Sequence, residues 1–261
     1  MNRFLGALLK LPNYLKAFGL LAGVRLFAAL ELTAADGPGG LQAVRVPGLR
    51  HPVWLRRTTS DRSIFWQVFV KQEYAMDEFP QSRELHAAYR AAVARGETPV
   101  IVDAGSNIGM SVAWFAQAFP AARIVAVEPD QANLAVLRRN AALCPNVEVV
   151  AGGVWNVPLR LDIANPDAGA GAFRLATTAE GAVQGYTIDQ LLDRAGTDRA
   201  LIVKIDIEGG EEALFESNVG WLDRASLVVM ELHDWLLPWK GTSRPFFAAG
   251  SRRPFDFLFR G

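Results

Sequence analysis

Two groups of residues have the types and spacing for chemistry. The first is "IVDAGSNIGMS", Ile101 to Ser111, an apolar run ending in Asp103, Gly105, Ser106, Asn107 and Gly109. Glycines at a strand end permit positive φ and leave no side chain in a ligand's way. The second group comes from "KIDIEGG" and "MELHD", which carry Lys204, Asp206, Glu208, Glu231, His233 and Asp234. Strand alternation puts Asp206 and Glu208 on one face, as it does Glu231 and His233, so neighbouring strand ends can bring all four together. His233 is the candidate general base, because an unperturbed imidazole titrates near neutral pH; a structural hydrogen bond is its alternative role. The other histidines, His51 and His86, read as surface or packing residues. Asp206 and Glu208 interrupt a run of Leu201, Ile202, Val203, Ile205 and Ile207, where a carboxylate is costly unless partnered. They are taken to position substrate or cofactor alongside His233. The three would also suit Mg, Mn or Fe, but no metal is assigned. Lys204 reads as the ion-pair partner of a carboxylate.

The ligand of the glycine turn follows from what surrounds it. Glu128 closes "VAVEPD", about twenty residues downstream, where a carboxylate can accept hydrogen bonds from ribose hydroxyls. A phosphate-gripping loop would need Gly-Lys-Ser/Thr, which is absent here. A nicotinamide fingerprint has three glycines, and Asn107 stands where the middle one would be. Asp103 suits a cation better than a pyrophosphate, which favours S-adenosylmethionine with its ammonium and sulfonium. Asp103, Gly105, Ser106, Asn107, Gly109, Glu128 and Asp130 form the expected cofactor set. A nicotinamide-dependent enzyme, a non-catalytic S-adenosylmethionine-binding or scaffold protein, and a βα turn with no ligand are the competing readings.

These residues need a frame. From Pro99 onward, apolar runs alternate with helical patterns: "PVIVDAG", "ARIVAVEP", "VEVVAGGVW", "ALIVKIDIEGG" and "SLVVMELHD" are strands. "MSVAWFAQAFP", "DQANLAVLRRNAAL" (Asp130 as N-cap) and "TIDQLLDRAG" (a Thr187–Gln190 capping box) are helices. That alternation predicts a doubly wound α/β sheet. "PLRLDIANPDAGAGAFRLA" reads as a hairpin insertion, and "FDFLFRG" as a sixth strand. Three regions are expected: an N-terminal helical segment (1–40) ending at "DGPGG", a small β/α lead-in (41–98), and a Rossmann-like domain (99–261). Within the lead-in, "LQAVRV" and "PVWLRRT" form a small β element. "SDRSIFWQVFV" is a helix with Ser60 as N-cap, and "SRELHAAYRAAVARG" is a helix closed by Gly96.

Composition narrows the classes. At 261 residues, 51% hydrophobic and 21% charged, the chain is globular in type. With 27 basic and 27 acidic residues, it has no global pull toward nucleic acid. A single cysteine, Cys144, excludes an internal disulfide and a cysteine zinc cluster, and suits a reducing compartment. The N-terminus is apolar but interrupted by Lys10, Pro12, Lys16 and Arg25, with Phe4, Leu8, Leu11, Leu15 and Phe18 at helical spacing. Residues 1–30 therefore read first as packed on a core or a partner, with a membrane surface as the alternative; a cytoplasmic location is expected, peripheral to the membrane under that alternative. The C-terminal stretch mixes Trp235, Trp239, Phe246 and Phe247 with Lys240, Arg244, Arg252 and Arg253. It reads either as a wall for a sugar-like acceptor or as core plus solvated rim.

"VDAGSNIGMS", "VAVEPDQANLAVLRRN", "YTIDQLL" and above all "KIDIEGGE" together resemble the FkbM family of S-adenosylmethionine-dependent methyltransferases. "HPVWLRRTTSDRSIFWQVFVKQEY" resembles the segment that precedes the core in many members, so the likeness runs from about Arg45 to the C-terminus. It implies a class I methyltransferase fold and O-methylation of a hydroxyl on a sugar, a glycan or glycolipid, or a polyketide-type acceptor. The chain departs from the family in length: class I sheets usually end in a sixth strand and an antiparallel seventh, and no seventh follows "FDFLFRG".

Overall fold

The computed structural model describes residues 3–33, 40–164, 174–178, 180–236 and 238–260. Helices α1 (Arg3–Leu8) and α2 (Leu11–Glu31) come first; α2 is broken at Gly19, where φ is 74°. Strands β1 (Gln42–Val44) and β2 (Val53–Leu55) form the expected antiparallel pair. Then come α3 (Thr59–Phe65), a single π-helical turn over Trp66–Val70, and α4 (Ser82–Ala94). The alternating region supplies β3 (Val100–Ala104), α5 (Met110–Ala118), β4 (Arg123–Glu128), α6 (Gln131–Ala141) and β5 (Val147–Ala151). A short excursion holds β6 (Gly153–Val154), β7 (Leu159–Ile163), β8 (Leu175–Thr177) and β9 (Val183–Tyr186). The chain closes with α7 (Ile188–Arg194), β10 (Ala200–Ile205), α8 (Glu211–Glu216), β11 (Ala225–Met230) and α9 (Arg244–Gly250).

Strands with apolar residues on both faces are stable only between two helical layers. Here β11, β10, β3, β4 and β5 lie side by side in that order, all parallel. Val100, Val102, Val125, Val127 and Val203 face α7 and α8, against Leu191, Leu192, Leu214 and Phe215. The alternate residues Ile101, Ile124, Ala126 and Ile202 face the other layer, against Leu85, Val112, Phe115, Leu134 and Leu137. The chain runs outward from β3 through β4 to β5, then returns to the other side of β3 as β10 and β11. Strand order thus reverses between β3 and β10, and a crevice opens beyond their carboxyl ends.

A third apolar cluster joins the N-terminal residues to this frame. Tyr14, Leu26, Phe27 and Leu30 of α2 pack with Val53, Leu55, Phe65 and Phe69, and with Ile108, Met110 and Val136 beside the glycine turn. Asp61, wholly buried, pairs with Arg56 (2.8 Å), whose guanidinium also donates to Asn133 Oδ1 of α6 (2.7 Å). The lead-in is therefore fastened to the helix that follows β4.

Several expectations change. The third predicted strand splits: β5 stays in the main sheet, while β6 leaves it to pair with β9 in a four-stranded sheet ordered β6–β9–β7–β8. Gly152 permits this, since a Cβ there would lie 2.5 Å from Gln184 O. The predicted hairpin is present as β7 and β8; its turn, 165–173, lies outside the described residues, as does 36–39 of "DGPGG". The N-cap of α3 is Thr58, not Ser60, because the Thr58 side chain accepts from Asp61 N–H. The predicted sixth strand does not form. Residues 255–260 pair with no strand; Asp256 accepts from Gln81 Nε2 (2.8 Å) and Arg260 pairs with Glu78 (3.1 Å). Those polar tethers hold the segment along the lead-in.

Candidate active site

The glycine turn is built by the ends of β3 and β4. Gly105 N–H and Ser106 N–H both donate to Val127 O (3.1 and 2.9 Å), and Ser106 Oγ donates to Asp103 O (2.8 Å). At Gly105 φ is 80°, and a Cβ would sit 1.8 Å from Asp206 O. Glycine is required there by the neighbouring strand. Gly109 is also left-handed (φ 85°), but its missing Cβ faces Leu137 Cδ1 at 2.8 Å, on the α6 side. It serves helix packing and does not line the crevice, contrary to its expected cofactor role.

Asp103 is likewise displaced from its expected role. Its carboxylate is fully buried, pairs with Lys204 Nζ across β3 and β10 (3.2 Å) and accepts from Ser111 Oγ (2.6 Å). Lys204 donates further to Gly105 O (2.6 Å) and lies 3.5 Å from Asp206. Burial pulls the Lys204 ammonium down, but Asp103 and Asp206 more than offset this and raise it above its ordinary range. Lys204 is thus the paired, structural lysine expected, and Asp103 spends its charge on it.

Glu128 sits at the crevice beneath Asn107. Its carboxylate accepts from Asn107 N–H (2.9 Å), Asp130 N–H (3.0 Å) and Asn133 Nδ2 (3.3 Å). An ionised carboxylate has about four acceptor positions, so roughly one remains for a ligand hydroxyl. Burial pushes this carboxyl up to about 7, against the pull of its three donors. Asn107 adopts φ 49° to aim its N–H at Glu128. Asp130 caps α6 by accepting from Asn133 N–H (2.8 Å); it faces the helix and does not line the crevice.

A cavity of about 410 Å³ fills the crevice. Gly105, Ser106, Asn107 and Glu128 line it together with Asp206, Glu208 and Glu231. Ser60, Ser63 and Gln67 of α3 and the π-turn, with Glu73 and Tyr74, close it from the lead-in. These lead-in residues were not singled out from sequence. A π-turn often marks a functional site, but no residue pattern in "SIFWQVFV" announces one. Trp235 lines the mouth, Phe246 packs on Phe215 (5.1 Å between ring centroids), and Trp239 is fully exposed. The aromatic end is therefore part wall, part core and part rim.

The second group converges as expected, though not through strand alternation. β10 ends at Ile205, and Glu208 turns back in a left-handed conformation (φ 54°). His233 Nε2 then faces Glu208 Oε2 at 3.5 Å, Asp206 Oδ1 at 3.7 Å and Glu231 Oε1 at 3.9 Å. Its Nδ1 contacts Glu211 Oε1 at 2.9 Å. Glu211 is almost completely buried and was not singled out from sequence, because its role depends on where α8 begins. Asp234 turns away and accepts from Thr242 Oγ1 (3.1 Å).

Electrostatics reassigns the base. Burial pulls His233 down, but the hydrogen bond and charge of Glu211, then Glu208 and Asp206, outweigh it and raise the imidazole to about 9. His233 is therefore protonated at neutral pH and lies behind the cavity wall. Glu208 is raised to about 7 by burial and by Asp206, opposed by His233. Glu231 is raised by burial, then by Asp206. Among the described residues, the carboxylates hold the wall and His233 backs them.

The family model for the methyltransferase FkbM domain matches residues 103–243. The chain belongs to the FkbM methyltransferase family. The matched residues run from the end of β3 past β11, so they include the glycine turn, Glu128 and the whole carboxylate cluster. No curated protein matches the chain. For an FkbM methyltransferase, S-adenosylmethionine is the usual methyl donor.

Proposed function

We propose that the chain is an S-adenosylmethionine-dependent O-methyltransferase acting on a hydroxyl of a sugar, a glycan or glycolipid, or a polyketide-type acceptor. One juxtaposition carries this reading: a single cavity at the strand-order reversal is lined by the Gly105–Asn107 turn, Glu128, Asp206, Glu208 and Glu231. The donor set fits a cationic nucleoside. Glu128 retains an acceptor position for a ribose hydroxyl, the Gly105–Asn107 turn lines the cavity with it, and the carboxylates Asp206, Glu208 and Glu231 suit ammonium and sulfonium. The set does not suit pyrophosphate, since Lys204, the one cation lining the cavity among the described residues, is already paired with Asp103. That weighs against a nicotinamide cofactor.

When bound, S-adenosylmethionine supplies an electrophilic methyl whose carbon–sulfur bonding pair departs with sulfur. The chain's own work is to align the acceptor hydroxyl and take its proton. Glu208 and Glu231 line the wall where that hydroxyl would lie. Oxygen keeps the O–H bonding pair and forms the new C–O bond, while the proton passes to this carboxylate wall. Asp206 and protonated His233 hold the wall in place and balance its charge. Trp235 at the mouth offers a stacking face to a sugar ring.

We further propose a cytoplasmic enzyme that touches the membrane through residues 1–30, in keeping with a lipid-linked acceptor. Leu9, Leu20 and Leu21 are exposed, with Lys16 and Arg25 exposed nearby; apolar side chains beside basic ones suit an anionic lipid surface. Calorimetry with S-adenosylmethionine, its demethylated product and NAD tests the core of the proposal. The first two are expected to bind, NAD is not, and Glu128→Gln is expected to weaken binding about tenfold, a lost charge-assisted hydrogen bond. Binding of NAD alone would overturn it. Asp206→Ala and Glu208→Ala are expected to abolish transfer and to weaken cofactor binding, since both carboxylates face the cation.

A further inference from the structure

The group around His233 contains more negative charge than its contacts account for. Asp206 Oδ1, Glu208 Oε2 and Glu231 Oε1 lie 3.7, 3.5 and 3.9 Å from Nε2. All three distances exceed the usual 2.7–3.2 Å of an N–H···O hydrogen bond. His233 is 2% exposed, so water does not surround the ring. Three carboxylate oxygens thus surround a buried ring nitrogen, none of them within hydrogen-bond distance of it. The other ring nitrogen is fixed: Nδ1 lies 2.9 Å from Glu211 Oε1, a carboxylate that can only accept, so Nδ1 keeps its proton, and Nε2 is the outward nitrogen whose proton a bound ion would displace. Glu211 is itself 1% exposed and also accepts from Ile207 N–H (3.3 Å), which locks it in place.

We infer that Asp206, Glu208 and His233 Nε2 bind a divalent cation, with Glu211 orienting the imidazole. One ligand atom from each of the three lies within 4.8 Å of the others. Ligands held about 2.0–2.4 Å from a common ion at near right angles stand roughly 2.8–3.4 Å apart. The distances of 3.5 and 3.7 Å from Nε2 to the two carboxylates need only a few tenths of an ångström of closure. The Glu211–His233 contact has the form of the carboxylate–histidine–metal arrangement, in which the outer carboxylate fixes tautomer and ring angle. Two carboxylates with one imidazole suit Mn²⁺ or Mg²⁺ more than a thiophilic ion. Asp206 and Glu208 also line the cavity, so the ion's remaining positions open toward it. Its purpose rests on the methyltransferase reading: it would hold the acceptor oxygen, leaving Glu231, outside the ligand set, to receive the proton.

The test uses the full chain with Mn²⁺ alone. Electron paramagnetic resonance is expected to show one saturable ion per chain, and pulsed measurement to show ¹⁴N coupling from His233. Asp206→Asn/Glu208→Gln is expected to lose at least tenfold in affinity, and Glu211→Gln ten- to hundredfold. His233→Ala is expected to lose the ¹⁴N signal. Absence of saturable binding, or undiminished binding in the folded Asp206→Asn/Glu208→Gln variant, overturns the inference. If that variant does not fold, the wild-type ¹⁴N coupling decides alone. Calorimetry with S-adenosylmethionine on the same sample separates the two claims. Cofactor binding without ion binding sinks only the metal site; ion binding without cofactor binding sinks only the donor reading.

Discussion

Gly105 and Glu128 show how single residues serve both the fold and the site. A side chain at Gly105 would have to adopt a left-handed backbone and push away Asp206 O, which lies 1.8 Å from the required Cβ. Gly105→Ala is expected to cost roughly 2–5 kcal/mol, combining backbone strain with overpacking. Gly220→Ala, where the space is open, is expected to be near neutral, and urea denaturation of both checks the contrast. Glu128 makes a pH-dependent prediction. Its carboxyl is raised to about 7 in the folded chain, so the native state binds this proton more tightly than the unfolded state does. Stability from this group is present below the ordinary carboxylate range and is lost as pH rises toward and past 7. Glu128→Gln stays neutral, so its stability relative to wild type is expected to rise by roughly 2–3 kcal/mol between about pH 4 and pH 8. A flat difference across that range would contradict the assigned cause.

Two capped helices separate fold from function at the scale of elements. Thr187 caps α7 in a full capping box, and Asp130 caps α6 alone. Both caps were legible in sequence, because a capping side chain acts on backbone only three residues away. Each change to Ala is expected to cost about 1 kcal/mol of thermal stability. Only Asp130→Ala is expected to weaken S-adenosylmethionine, because α6 starts beside Glu128 and carries Asn133 (3.3 Å from it). Equal loss of affinity in Thr187→Ala would show that general loosening, not α6, sets binding. The five parallel strands were also legible, each being a short apolar run bounded by turn residues. The partition of "VEVVAGGVW" between two sheets was not, since Gly152 departs only because Gln184 approaches from about thirty residues downstream.

The whole molecule ties its N-terminal helices to the catalytic frame through one apolar cluster while leaving Leu20 and Leu21 in solvent. One face is therefore available for a surface without unfolding the other. The double change Leu20→Ser/Leu21→Ser is expected to leave the melting temperature within about 2 °C of wild type, as for substitutions at exposed positions. It is expected to reduce sedimentation with anionic phospholipid vesicles severalfold. Unchanged vesicle binding would remove residues 1–30 as the contact.

From the sequence alone came the doubly wound class, the family resemblance, the glycine turn, Glu128 and the convergence of Asp206, Glu208, Glu231 and His233. All of these depend on local periodicity or on short motifs at strand ends. Tertiary structure decided what the groups do once gathered. It assigned Asp103 to Lys204, turned Gly109 toward α6, and brought the π-turn over the cavity. It also set Glu211 behind His233, which strengthens the imidazole's hold on its proton. Such roles turn on distances of 3–4 Å between residues far apart in the chain, and those distances exist only after the sheet has formed.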